Sequence, residues 1–144
     1  LPFNYGLAEK NFKMKIFYPY INFFGKKIPL LTYSFPLREE LEKQINSDFL
    51  VKPNIEKSEI KVKKYKLIKK KIDLIKIDTN GSEVGIVKTL LPVIKRDKPV
   101  LIIENNNIIK IYNILKKYRY KKYYLKNSSL KVHNNQNNAN IIFK

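Results

Sequence analysis

Two aliphatic runs stand out from an otherwise mixed pattern of apolar and polar positions. Residues 72–78 carry Ile72, Leu74, Ile75 and Ile77, and residues 99–104 carry Val100, Leu101, Ile102 and Ile103. Near-continuous Ile, Val and Leu over such lengths predicts strands buried in a parallel sheet. Between them Val84, Ile86, Val87 and Leu90 fall at helical spacing. Ile108, Ile109, Ile111, Tyr112 and Leu115 do so again over residues 106–118. Asn80 and Glu83 stand three apart, the spacing of a capping box with Asn80 as N-cap and Glu83 folding back. Pro92 lacks the N–H that a helix interior needs, so it should open a second short turn ending near Arg96. Strands are also predicted over 119–125 and 140–143, split by an Asn-rich surface loop over 126–139 that is expected to be mobile. Alternation of strand and helix is the signature of a parallel sheet with crossover connections. The last strand follows a loop, not a helix, so antiparallel pairing at the sheet's edge is expected.

The first part of the chain reads differently. Residues 1–57 are aromatic and interrupted by Pro2, Pro19, Pro29, Pro36 and Pro53. Residues 12–18 alternate as a short strand that Pro19 should stop. Residues 36–45 suit a short helix with Glu39, Glu40 and Glu42 near its start. From Glu59 onward Ile60, Val62 and Tyr65 mark a strand of period two, and residues 67–71 form a basic connector. A length of 144 residues fits one domain. Its expected parts are an irregular hairpin and helix region over 1–58 and a βαβ core over 59–144.

Composition removes several classes of chemistry. There is no Cys and one His, His133, so disulfides, thiolate nucleophiles and multi-His zinc sites drop out, and no metal is expected. A reducing, cytoplasmic setting fits. No apolar stretch approaches the roughly 18–20 residues of a membrane span, so no membrane partner is expected. The net charge of +18 invites a polyanion reading. However, Lys, Ile and Asn are inflated together while only Arg38, Arg96 and Arg119 are Arg. Drift toward A- and T-rich codons accounts for all three, whereas phosphate readers favour the Arg fork. The Lys/Tyr segment 116–124 resembles a single-strand binder's interleaving. It also reads as an edge strand whose lysines block aggregation.

The chemistry-bearing residues gather where the aliphatic runs end. Lys76 and Asp78 are two apart on one strand and share a face. Glu104 ends the second run. Ligands of open α/β sheets sit beyond the carboxyl ends of the strands, so Asp78, Lys76 and Glu104 form the candidate catalytic set. Each also has a plain structural reading as an ion pair or a solvated strand end. Gly81 suits a turn and Glu83 a helix cap. Ser82 lacks the second glycine of a nucleophile elbow, and no phosphate-binding glycine loop is present.

The stretch from Ile72 to Val84, with Lys76, Ile77, Asp78, Gly81 and Glu83, followed by Lys98, Pro99 and the run to Glu104, resembles the second half of the FkbM family of S-adenosylmethionine-dependent methyltransferases. Weaker similarity extends outward, to residues 4–9, 59–67, 118–120 and 140–143. The family usually has Glu where Asn80 stands and Gly where Thr89 stands. The resemblance implies an α/β, class I methyltransferase-like (Rossmann-like) fold with a mostly parallel sheet. It implies S-adenosylmethionine as cofactor and a hydroxyl acceptor on a sugar or secondary metabolite, with Asp78 as base or anchor and Lys76 and Glu104 positioning it. The family's glycine-rich first strand and ribose-binding acid have no counterpart, so the N-terminal cofactor-binding strands are expected to be missing and the cofactor-binding residues stay unassigned. The chain then reads as a C-terminal fragment whose partner is its own N-terminal half, marginal alone because the strand at 72–78 would expose an apolar edge. The competing readings are a non-enzymatic basic module for nucleic acid or another polyanion, and an inactive remnant.

Overall fold

A computed structural model describes residues 6–8, 10–64, 69–134 and 138–144. The chain divides into two compact units, one built from Gly6 with Lys10–Lys63 and one from Leu7 and Ala8 with Lys64–Lys144. Among the described residues no helix is long and apolar enough to cross a membrane.

Strands β1 (Gly6–Ala8), β2 (Phe12–Phe23), β3 (Lys26–Pro29) and β4 (Asn54–Lys64) form a sheet in the order β1-β4-β2-β3, of which β2, β3, β4 up to Lys63 and Gly6 of β1 belong to the first unit. Helix α1 (Arg38–Asp48) buries Leu41 and Ile45. It starts with Glu39 and Glu40 at its positive end, as expected. The period-two pattern at Ile60 and Val62 does form a strand, with Val62 buried. That strand pairs antiparallel with β2, from Phe12 opposite Val62 to Tyr20 opposite Asn54. Tyr65 and residues 65–68 lie outside the described residues, as do Asn4, Tyr5 and Glu9.

Pro19 does not stop β2, contrary to the sequence pattern. A strand residue points its N–H and C=O to the same edge. The Pro19 carbonyl accepts from the Leu30 N–H at 2.9 Å, on the side away from β4. The missing N–H therefore falls on that side too, and the β2–β4 ladder passes Pro19 opposite Ile55 without losing a bond.

In the second unit β5 (Leu74–Ile77), helix α2 (Glu83–Asp97), β6 (Val100–Glu104) and helix α3 (Ile108–Leu115) follow in the predicted alternation. Strands β7 (Lys122–Lys126), β8 (Ser129–Val132) and β9 (Asn140–Phe143) complete a sheet of order β5-β6-β9-β7-β8. The sheet is mixed, not mostly parallel: β5 with β6 is the parallel pair, and β9 runs antiparallel to both β6 and β7. β5, β6 and β7 thus share a direction, but β9 separates the last two. β9 is antiparallel as expected but lies inside the sheet, because Ile141 and Phe143 are fully buried and an edge would leave one flank of them wet. β7 is likewise internal. The sheet's edge strands are β5 and β8, and β8 is exposed along its whole length.

β8 also corrects the expectation of a structureless loop over 126–139. Asn127 and Ser128 both adopt left-handed conformations, φ 48° and 58°, the geometry of a two-residue hairpin turn. They fold β8 back on β7, and His133 beyond it is buried. Residues 135–137 lie outside the described residues.

α2 is one helix through Pro92, not two. Pro92 and Lys88 are both exposed, so the Lys88 carbonyl that Pro92 leaves without a donor faces water. The opposite face buries Ile86, Val87, Leu90, Val93 and Ile94. With Ile77, Leu101, Ile103, Ile111, Leu115, Tyr120, Ile141 and Phe143, most of these residues make one core. Tyr118, Tyr120 and Tyr124 of segment 116–124 are engaged within this unit. Tyr120 Oη donates to the Pro99 carbonyl at 2.7 Å, and burial pushes its phenol up to about 12. Tyr118 lies under Lys95 and Lys98, and Tyr124 meets the His133 ring edge to face.

At the end of α2, the Asp97 carboxylate accepts from Arg96 Nε at 2.6 Å and Nη2 at 2.7 Å, and from the Ile72 backbone N–H at 3.0 Å. It thereby ties the helix end to the chain entering β5. The Arg96 guanidinium, helped by the Ile72 N–H, holds the Asp97 carboxyl at about 2, below the ordinary 3.8. A lowered carboxyl stabilises the fold above its ordinary value and loses that contribution as pH falls through the lowered one. Asp97→Asn should therefore lower the thermal midpoint at neutral pH. The gap from wild type should narrow as pH falls from about 3.8 to about 2, as followed by circular dichroism melts.

Candidate active site at the carboxyl ends of β5 and β6

The register of β5 on β6 decides which acids meet. Lys76 lies opposite Ile102 and Ile77 opposite Ile103. The next step brings Asp78 level with Glu104, at the carboxyl ends of two adjacent parallel strands. Alternation assigns the faces: Ile77, Leu101 and Ile103 point into the core, whereas Lys76, Asp78 and Glu104 share the other face. All three predicted site residues are brought together.

Lys76 Nζ sits 2.9 Å from Asp78 Oδ2, with the side chains 59% and 49% exposed. An ion pair this wet adds little to stability, so its consequence is placement of the Asp78 carboxylate. Glu104 is in a different setting. Burial raises its carboxyl above the usual range, and the nearby charges of Asp78 and Glu83 push it the same way. The backbone N–H of Asn80 donates to it and offsets part of this. Glu104 Oε2 is buried without a hydrogen-bond partner.

The residue that sequence reasoning placed in a cap is the third acid here. Glu83 is fully buried. Its Oε1 accepts from the backbone N–H of Gly81 at 2.9 Å and of Thr79 at 3.3 Å, and from Thr79 Oγ1 at 3.2 Å. Its Oε2 is buried without a partner. Glu83 does fold back as a capping acid would, but the N-cap position belongs to Ser82. Asn80 is instead in the left-handed region at φ 47°, followed by Gly81 at φ 106°, two angles that Asn and Gly tolerate best. The turn that carries Asp78 is thus gripped by the first residue of α2. The three-residue spacing was the signal for Glu83. Its burial beside Glu104 needed the fold.

Residues 22–140 match the Methyltransferase FkbM domain. The chain belongs to this family. No curated protein and no solved structure matches it. The FkbM domain is a methyltransferase domain, which makes the strand-end acids an active-site candidate and not merely a polar cluster.

A Cβ built at Gly81 or Gly85 meets nothing within 4 Å, so the backbone of the turn beyond β5 is open beside the acids. What the site offers is carboxylate oxygens, two of them buried and unpartnered, suited to hydroxyl donors. Among the described residues, no three His, Cys, Asp or Glu side chains are arranged to hold a metal ion.

A raised carboxyl leaves the fold at full stability below its ordinary value of 4.5 and costs stability as pH rises through the folded value. Glu104→Gln should therefore melt above wild type at neutral pH. The difference should vanish once pH falls below about 4.5. A variant that melts below wild type at neutral pH would contradict this account of the site.

Proposed function

We propose that the chain provides the acceptor side of a methyltransferase that uses S-adenosylmethionine and methylates a hydroxyl oxygen of a sugar or other secondary metabolite. The cofactor is proposed from the family, and each role below belongs to the chain's own residues. The observation that carries the reading is the meeting of two unlike carboxyls: Asp78, exposed and joined to Lys76, and Glu104, half-buried with one oxygen withdrawn from water and its carboxyl raised above the usual range. Environments that separate two acids in this way assign them different roles.

Methylation of a hydroxyl needs the acceptor oxygen held in line and a base within hydrogen-bond reach of its proton. Asp78 takes that proton onto its carboxylate. Lys76 holds the carboxylate in place from the same strand. Glu104, level with Asp78 at the strand ends, orients Asp78 or the acceptor. Glu83 holds the turn between Asp78 and α2 so that these distances persist.

The test separates chemistry from binding. In a methyl-transfer assay on an FkbM homologue that carries the cofactor-binding strands, Asn in place of the acid that matches Asp78 should lower kcat by about 10²–10⁴-fold, the span of general-base catalysis. Affinity for S-adenosylmethionine, read by calorimetry, should stay near wild type. Turnover equal to wild type would reject Asp78 as the base.

A further inference from the structure

The β2–β3 hairpin of the first unit ends in an exposed aromatic tip that the methyltransferase site does not use. Phe23 and Phe24 meet edge to face with centroids 4.5 Å apart, yet Phe23 is 57% and Phe24 90% exposed. Their contact with each other does not withdraw them from water. Ile21 pairs with Ile28 across the hairpin, and both are 40% exposed. Alternate strand residues share a face, so Ile21, Phe23 and Ile28 form one apolar strip that leads up to the tip. A contiguous exposed patch of this kind marks an interaction site.

The turn itself is unusual in its residue. Phe24 holds φ at 47° and Gly25 at 72°, a two-residue turn whose first position favours Asn, Asp or Gly. An aromatic side chain in the left-handed region costs energy that a polar residue would largely avoid, and such outliers point toward a use.

Charge completes the picture. Past the buried Pro19 and part-buried Phe17, the face that carries Ile21 and Phe23 continues along β2 and β4 with Lys13, Lys15, Lys57 and Lys61, while Lys26 lies opposite Phe23. All five lysines are exposed. Glu59 on this face is neutralised by Lys13 at 2.8 Å. The surface is therefore an apolar wedge at a convex tip, with a basic band behind it. A convex tip offers no cavity for a small molecule. Two of the four apolar side chains are isoleucines, which have no ring face for a base to stack on, so the wedge suits hydrocarbon better than nucleic acid.

We propose that this hairpin docks the protein on an anionic lipid surface. Phe23 and Phe24 enter the boundary between headgroups and acyl chains, and the lysines of the same face meet the headgroups. The expectation of no membrane partner rested on the lack of an apolar stretch long enough to span a bilayer, which does not bear on surface docking.

Sedimentation with vesicles tests this on the 144-residue chain. It should bind vesicles of phosphatidylcholine mixed with phosphatidylserine, bind phosphatidylcholine alone far more weakly, and lose affinity as salt is raised. The double variant Phe23→Ser, Phe24→Ser should lower the partition coefficient roughly tenfold or more, from the loss of two apolar rings. Its melting should stay near wild type, since both rings are exposed. In Phe24→Trp, indole emission should shift to the blue when anionic vesicles are added. A double variant that sediments like wild type would overturn the proposal, as would indole emission from Phe24→Trp that vesicles leave unchanged. Two further results would do the same: binding to a single-stranded oligonucleotide but not to vesicles, or a change confined to self-association.

Discussion

The parallel pairing of β5 with β6 is the constraint that organises the second unit. Parallel neighbours cannot be joined by a tight turn, so the chain must leave the end of β5, cross over, and return. α2 is that crossover, and its apolar face covers the strands it connects. The same pairing sets Ile77 beside Ile103 in the core and leaves Asp78 level with Glu104 just beyond. Core packing and site geometry are therefore two outcomes of one register. A slip by one residue would turn Lys76 toward the core and separate the acids.

The site holds its acids at some cost to the fold. Glu83 is buried with one oxygen fully used by the turn and the other without a partner, and Glu104 has a similarly orphaned oxygen. Buried carboxylates that lack partners are unfavourable. Three acids near one another add mutual repulsion, visible in the raised carboxyl of Glu104. The turn between β5 and α2 is over-determined in compensation, by the Glu83 bonds and by Asn80 and Gly81 at angles suited to them. This balance is what a site gains from rigidity when it must keep a reactive group in place.

Much of this was legible in the order of residues. Alternation of aliphatic runs and helical spacing found β5, α2, β6 and α3, and the charges at the ends of the runs found Lys76, Asp78 and Glu104. The similarity to the FkbM family, borne by residues 72–84 and 98–104, holds across residues 22–140. The errors share a cause. Pro19 and Pro92 were read as breakers, but a proline breaks an element only where its missing N–H or its freed acceptor is needed. At Pro19 the gap falls away from the β4 ladder, and at Pro92 it faces water. Likewise Asn127 and Ser128 looked like part of a low-complexity loop, and only the left-handed angles of both reveal a hairpin turn.

Periodicity and motif spacing are local properties, so the residues in their order were enough to locate most strands and helices, the strand-end acids and the family. Strand order is not local, and it came from packing. β9 between β6 and β7 makes the sheet mixed, because the burial of Ile141 and Phe143 depends on neighbours far along the chain. Packing also put Glu83 with Asp78 and Glu104. Spacing can suggest that a carboxylate folds back on a turn, but only the folded chain shows which other charge it faces, and that proximity sets their chemistry.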